Sequence, residues 1–180
     1  MSRIAALSDD TATPDALQLF AGLKVKLGMV PNLYRVAGNQ PAVLEALLTL
    51  GATLDKGAFS ASDVEAIALT AAGANDCDYC ASAHTMVSQM QKRDSAEIAA
   101  NVKGQSSNAR TAAILKLARA ILDTKGRVSD ATLSEARLAG LSDADLVETI
   151  AQVVRNIFTN YLNHVAETEI DFPRVAARAA

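Results

Sequence analysis

Two cysteines and a histidine lie close together in the sequence, in the spacing of a helix-borne thiol site. Cys77 and Cys80 are three residues apart, and His84 follows four residues after Cys80. In a helix, residues three apart have Cα atoms roughly 5 Å apart, which is within the range of about 4.4 to 6.8 Å that a disulfide bond spans. The two cysteines can therefore form a disulfide with little movement of the backbone.

The same spacing offers each thiol its own means of activation. Cys77 is expected in the first turn of a helix, where free amide groups and the helix dipole favour a thiolate. His84 lies one turn after Cys80 on the same face, so its imidazole can accept the thiol proton directly or through a water molecule. The pattern therefore indicates redox or nucleophilic chemistry at sulfur.

Glu65 is an upstream candidate to orient His84 or to relay its proton. In one straight helix, Glu65 would lie roughly 18 Å before the cysteines and away from their face. It can join them only if the chain turns, and Gly73, Asn75 and Asp76 are residues suited to a turn and a new helix start. The alternative for Glu65 is an ordinary solvated acid in the first turn of a helix.

Other uses of the two cysteines stay open at this point. Free cysteine is among the most buried residue types, so the pair could simply pack in the core. A zinc site would need a fourth ligand beside the cysteines and His84, and structural zinc usually takes its ligands from two separate segments. The second histidine, His164, falls in the pattern of the last helix, where a surface or packing role is favoured. We therefore expect no metal and no cofactor.

The elements that must position these residues are helices. No stretch alternates polar and apolar residues for long enough to suggest a half-buried strand, and the apolar residues recur at helical spacing throughout. The last and longest helix is predicted to carry Leu146, Ile150, Val153, Val154, Ile157, Phe158 and Tyr161. Helix starts are predicted at Thr13 with Pro14, Pro41, Ser60, Asn75 or Asp76, Asp94, Ser107, Ser129 and Ser142, with a short helix over 32–37 and an irregular tail over 171–180.

Composition and charge exclude several classes of function. The 180 residues carry 17 Lys and Arg against 20 Asp and Glu, for a net charge of −3 without a basic cluster, so we expect no nucleic-acid partner. No signal-peptide pattern and no apolar run of about 20 residues is present, so we expect a cytoplasmic protein without membrane contact. In that reducing compartment, two close cysteines favour redox activity or metal binding over a structural bridge. We expect one domain over residues 1–180.

The four candidate residues also form a family pattern. Glu65, eleven residues, Cys77, two residues, Cys80, three residues and His84 resemble the AhpD-like alkylhydroperoxidase branch of the carboxymuconolactone decarboxylase family. The resemblance implies an all-helical, AhpD-like bundle that forms homo-oligomers. It also implies a thiol peroxidase or disulfide oxidoreductase without metal or haem. Carried over by position, Cys77 and Cys80 are the redox pair, His84 is the proton acceptor and Glu65 is its partner in the relay.

The resemblance extends beyond this motif. Residues 27–33 (LGMVPNL) and residues 160–166 (NYLNHVA), together with 171–173 (DFP), are similar to the members of this group called peroxidase-related proteins. The similarity therefore covers a core of about 28–173. One position departs from the branch, since Tyr79 stands where a second histidine is expected between the cysteines. A packing role for this tyrosine is favoured over a hydroxyl placed near the peroxide.

The expected reaction begins with attack of the Cys80 thiolate on a hydroperoxide. The resulting sulfenic acid condenses with Cys77 to a disulfide, which a dithiol, a thioredoxin-like protein or a lipoyl group reduces again. The protein could instead act as the reductant of a separate peroxidase such as a peroxiredoxin, with the more exposed Cys77 meeting the partner first. A decarboxylase of the same family and a thiol redox sensor without catalysis are the alternatives.

Overall fold

The structure is a computed structural model that describes residues 2–178. Within these residues, the chain forms nine α-helices and no strand, so the predicted all-helical fold is confirmed. No helix in this part of the chain is long and apolar enough to cross a membrane. The helices are α1 (Pro14–Leu27), α2 (Asn32–Ala37), α3 (Pro41–Leu54), α4 (Ala61–Ala74), α5 (Asp78–Met90), α6 (Ser95–Val102), α7 (Ala109–Thr124), α8 (Asp130–Leu138) and α9 (Asp143–Ala166).

Capping side chains begin most of these helices where the sequence predicts. Thr13, Ser60, Asp94, Ser129 and Ser142 each accept a hydrogen bond from a backbone amide in the first turn of their helix. Ser142 and Asp145 also form the reciprocal pair of a capping box at the start of α9.

One predicted cap is displaced by a single residue. Helix α7 begins after Asn108, whose side chain accepts a hydrogen bond from the Thr111 amide, and not after Ser107. The Ser107 hydroxyl and amide instead donate to the Glu97 carboxylate, at 2.7 and 3.0 Å. Together with the Ser106 hydroxyl, these donors lower the pKa of Glu97 to about 2. Ser107 is therefore engaged in fixing the loop between α6 and α7.

Helix α4 is the centre of the bundle, and it positions the site because α5, α6, α7 and α9 all pack against it. Seven consecutive residues, 66–72, are buried on every side of the helix. Gly73 continues this helix, although the sequence suggested it as a turn residue. A Cβ atom there would lie 2.0 Å from the Val102 carbonyl oxygen, so glycine permits the close approach of α4 to the end of α6.

Helix α9 packs with a polar face toward the core. Of its predicted apolar residues, Leu146 and Val153 are buried, whereas Ile150, Val154, Phe158 and Tyr161 are exposed. The helical spacing therefore locates α9 correctly but does not show which face is buried. The buried face also carries Asp145, Thr149, Gln152, Asn156, Asn160 and Asn163.

Candidate active site

A tight turn between α4 and α5 brings the candidate residues together. Helix α4 ends at Ala74 and is capped by Asn75, and Asp76 follows in the left-handed conformation with φ of 57°. The Cys77 amide then donates to the Ala72 carbonyl at 2.9 Å, which closes a Schellman-type end. The chain thus turns near the residues that the sequence suggested, and α5 packs against α4.

The two cysteines are joined as a disulfide at the start of α5. Their Cα atoms are 5.3 Å apart, within the range expected for residues three apart in a helix. Cys77 itself is the residue that caps α5, in place of the predicted Asn75 or Asp76, and its Sγ accepts a hydrogen bond from the Cys80 amide at 3.3 Å. Cys77 therefore precedes the first turn and lies at the positive end of the helix dipole.

Glu65 and His84 are in direct contact across the turn. Oε2 of Glu65 and Nδ1 of His84 are 2.8 Å apart, and the side chains are 14% and 28% exposed. Glu65 is thus largely shielded from solvent, whereas the alternative prediction was an ordinary solvated acid. An ionised carboxylate only accepts hydrogen bonds, so the contact favours the tautomer of a neutral His84 ring that carries its hydrogen on Nδ1 and has its lone pair on Nε2. The contact places Glu65 where it can orient His84, while its role in catalysis stays a prediction.

Asn163 of α9 is a contact of Cys80 that the sequence reasoning did not single out. Its side-chain Nδ2 donates to the Cys80 Sγ at 3.3 Å, and Asn163 is 4% exposed. An amide donor aimed at sulfur favours the thiolate over the thiol once the disulfide is reduced. Asn163 lies in the segment 160–166 that the sequence singled out, but its separation of 83 positions from Cys80 means that the sequence alone does not reveal the contact.

Tyr79 between the cysteines has a structural environment. Its ring packs edge-on against Phe172, with the centroids 5.5 Å apart, and its hydroxyl oxygen accepts a hydrogen bond from the Leu33 amide at 3.0 Å. Burial raises the pKa of this phenol well above its usual value. These contacts agree with the packing role that the sequence favoured for Tyr79.

Cys80 opens onto a cavity, and Cys77 does not line it. The cavity has a volume of about 540 Å³, and Glu65, Cys80 and His84 all contribute to its wall. Most of the remaining wall is apolar, with leucine, methionine, valine and phenylalanine side chains. These include Leu23, Leu47, Leu48, Met86, Val87 and Phe172.

Cys77 is covered by the C-terminal tail, so the prediction that it is the more exposed cysteine is wrong. The two cysteines are only 1% and 3% exposed, and Cys77 packs in a cluster with Ala177. Asp78 holds the tail, since its carboxylate accepts from the Ala177 amide at 3.0 Å and pairs with Arg174 at 3.1 Å. The Ala177 amide and Arg174 lower the pKa of Asp78. The tail is irregular through residue 178, as predicted, and residues 179–180 lie outside the described residues.

The second histidine stands apart from this arrangement. His164 lies in the last turn of α9 and is exposed, as the surface interpretation of the sequence expects.

The central helices match a known protein family. Residues 41–123 match the model of the carboxymuconolactone decarboxylase family. The matched segment comprises 83 of the 180 residues. It runs from the start of α3 into α7 and contains Glu65, Cys77, Cys80 and His84. The resemblance that the sequence suggested is therefore confirmed. No curated protein matches the chain.

Solved structures with the same fold cover nearly the whole chain. A peroxidase-related protein from Ralstonia eutropha JMP134, described as an alkylhydroperoxidase AhpD core, is 19% identical over 94% of this chain and 92% of its own, with a TM-score of 0.84. A peroxidase-related protein from Silicibacter sp. TM1040 is 22% identical over 93% and 92%, with a TM-score of 0.80.

A third structure with this fold is the debrominase Bmp8, a cysteine-to-alanine variant in complex with 2,3,4-tribromopyrrole. It is 21% identical over 95% of this chain and 92% of its own, with a TM-score of 0.78. At these identities the three neighbours establish the fold, and the predicted AhpD-like bundle is confirmed. Because one fold supports different chemistries, the reaction must be argued from the site.

Proposed function

We propose that the protein is a thiol-dependent peroxidase that reduces hydroperoxides through the Cys77–Cys80 pair. The observation that carries this proposal is the position of Cys80. Its sulfur belongs to a disulfide pair and lies in the wall of the same cavity as the Glu65–His84 contact. Such a reaction needs two thiols that can form a disulfide, a base that accepts the thiol proton, and a cavity through which the substrate reaches the sulfur.

The reaction proceeds in two steps from the reduced protein. His84 accepts the Cys80 proton at Nε2, while Glu65 holds the other ring nitrogen and stabilises the imidazolium. The thiolate attacks the outer oxygen of the hydroperoxide, the O–O bond breaks, and the leaving alkoxide takes a proton from His84. The Cys77 thiol then attacks the Cys80 sulfenic acid, which releases water and forms the disulfide.

An external reductant closes the cycle. A dithiol, a thioredoxin-like protein or a lipoyl group supplies two electrons and two protons, and both cysteines return to thiols. The same exchange would let the protein serve as reductant of a peroxiredoxin. Because Cys77 lies under the tail and Cys80 faces the cavity, the structure favours Cys80 as the sulfur that an incoming small dithiol meets.

The alternatives account for fewer of these features. A decarboxylase of the same family does not need a pair of neighbouring thiols. A redox sensor needs the thiols, but it needs neither a cavity nor a shielded acid–imidazole contact beside one of them. The combination of these features therefore favours catalysis.

Turnover of the wild-type protein tests the proposal. With a hydroperoxide and excess dithiol, the protein is expected to consume many equivalents of peroxide. Without dithiol, limited peroxide should remove two hydrogens from the mass of the reduced chain. A sensor would stop at one disulfide per chain, and cysteines that stay reduced where a free thiol is oxidised would disprove the redox function.

The cavity further favours organic hydroperoxides over hydrogen peroxide as substrates. Its volume of about 540 Å³ is larger than hydrogen peroxide requires. Its mostly apolar wall can bind the hydrocarbon part of an organic hydroperoxide. We propose that the apolar part of the substrate is bound by this wall while the peroxide group lies at Cys80.

Filling the cavity should separate the two kinds of substrate. Ala52 of α3 lines the cavity and is itself exposed, so Ala52→Phe narrows the space at little cost in stability. We expect kcat/KM for cumene hydroperoxide to fall about 10-fold or more, while that for hydrogen peroxide changes less than about 2-fold. Ala46→Phe, an exposed position of α3 outside the cavity, is the matched control. An equal loss for both peroxides would contradict the assignment.

A further inference from the structure

Arg155 of α9 places a guanidinium in the wall of the cavity, although most of that wall is apolar. Its side chain is 27% exposed. Within residues 2–178, its one ion pair is with Asp55 at the end of α3, where Nη1 and Oδ1 are 3.6 Å apart. This distance is too long for a hydrogen bond, and a guanidinium has five N–H donors. Arg155 therefore keeps donors for a ligand in the cavity.

Gly51 of α3 leaves the space that this guanidinium occupies. A Cβ atom at Gly51 would lie 2.9 Å from Nη2 and 3.2 Å from Cζ of Arg155. Glycine in the interior of a helix weakens the helix relative to alanine, and Gly51 is a buried interior residue of α3. The close approach of Arg155 to the α3 backbone gives a physical reason for a residue that the helix itself disfavours.

One face of α9 runs along the cavity from Arg155 toward the reactive cysteine. Asn156 and Thr159 follow Arg155 in the cavity wall. One turn later, Asn163 donates to the Cys80 Sγ at 3.3 Å. Eight residues separate Arg155 from Asn163, which is about 12 Å along the helix. The cation and the reactive sulfur are therefore two separate polar points on the wall of one cavity.

The charged side chains of the wall leave an excess of positive charge away from the catalytic pair. Glu65 and His84 contact each other at 2.8 Å. The other charged side chains of the wall are Lys26, Asp55 and Arg155, which are two cations and one carboxylate. This part of the wall therefore attracts an anion more than a neutral molecule of the same shape.

We propose that the substrate is an organic hydroperoxide with a carboxylate group, which binds the Arg155 guanidinium while the peroxide group lies at Cys80. The inference rests on the proposed peroxidase function and adds the chemical class of the substrate. The planar guanidinium can donate two parallel hydrogen bonds to a carboxylate. Asp55 is half exposed and makes only the long contact, so an incoming carboxylate can take its place. The hydrocarbon part of the substrate lies on the apolar wall between the two points.

Binding of a carboxylate without a peroxide group tests the anion site by itself. Titration calorimetry compares octanoate with octanol, which has the same chain length and no charge, on the protein with its disulfide intact. Arg155→Gln should raise the Kd of octanoate about 10-fold and change that of octanol less than about 2-fold. Arg155→Lys keeps the charge and should recover part of the loss. Arg119→Gln, on α7 outside the cavity wall, is the matched control and should keep the wild-type values.

Asp55→Asn distinguishes a ligand-binding cation from a structural ion pair. The variant removes the carboxylate that competes for the guanidinium, so octanoate should bind about 3-fold more tightly. If Arg155 only joins α9 to α3, Asp55→Asn and Arg155→Gln break the same contact and should shift the Kd in the same direction. That result would overturn the proposal, as would a wild-type protein that binds octanoate no more tightly than octanol. Circular dichroism of each variant shows whether its helices are intact.

The kinetics test whether the anion is the substrate. The hydroperoxide of linoleic acid and its methyl ester differ in charge at one end of the same chain. Wild-type kcat/KM should be about 10-fold higher for the acid, and Arg155→Gln should remove this preference through KM with little change in kcat. Equal turnover of acid and ester by the wild type would overturn the substrate class and leave the peroxidase proposal standing. Turnover of neither compound would overturn the peroxidase proposal, and the octanoate titration would still decide whether the cavity binds a carboxylate.

Discussion

Replacing Cys80 by serine is expected to lower the kcat/KM for hydroperoxide by at least about 1000-fold, because a hydroxyl in place of the thiolate removes the nucleophile itself. Cys80 is the sulfur that lines the cavity, receives the Asn163 amide and lies on the same helix face as His84. No other cysteine lines the cavity, so the residual rate of Cys80→Ser should approach that of the buffer with dithiol.

Cys77→Ser is the matched control for this prediction, since the chemical change is the same but the residue lies outside the cavity wall. Without dithiol, the variant should still react once with hydroperoxide and keep the sulfenic acid, because no second thiol of the protein remains to condense with it. Intact mass after limited peroxide should show one added oxygen on Cys77→Ser and no change on Cys80→Ser. A sulfenic acid trapped on Cys77 in the Cys80→Ser protein would reverse the two roles.

The parts of this site that depend on local geometry are predictable from the sequence. The disulfide follows from a three-residue spacing at a helix start, because helical rise and rotation fix the distance between the Cα atoms. The contact of Glu65 with His84 follows from the turn at Asn75 and Asp76, which reverses the chain between two helices.

The parts that depend on distant segments are not predictable in this way. Cys77 is covered by residues about a hundred positions later in the chain, and Asn163 reaches Cys80 from the last helix. The sequence does not show which face of α9 is buried, for another reason. Periodicity shows that two faces differ, whereas which one is buried depends on the side chains that the neighbouring helices present.

Glu65→Gln is expected to lower the rate of Cys80 oxidation by about 100-fold. Glutamine keeps the size of the side chain, but it removes the charge that stabilises the imidazolium during proton transfer. Its amide can also donate to Nδ1 of His84. That would put the hydrogen on Nε2 and remove the lone pair that accepts the Cys80 proton in the proposed reaction. The loss should fall on kcat with little change in KM, because Glu65 acts on the histidine and not on the apolar part of the substrate.

Two measurements distinguish this role from a structural one. Single-turnover oxidation by hydroperoxide and alkylation of the reduced thiols by iodoacetamide should slow together in Glu65→Gln, since both depend on the Cys80 thiolate. His84→Ala should slow both at least as much, and the double variant should add little, because the two residues act as a unit. Glu45→Gln makes the same exchange at an exposed position of α3 and should leave both rates unchanged. Wild-type rates in Glu65→Gln would show that the contact only joins α4 to α5, and additive losses in the double variant would show that the carboxylate acts on Cys80 by a path that does not include the histidine.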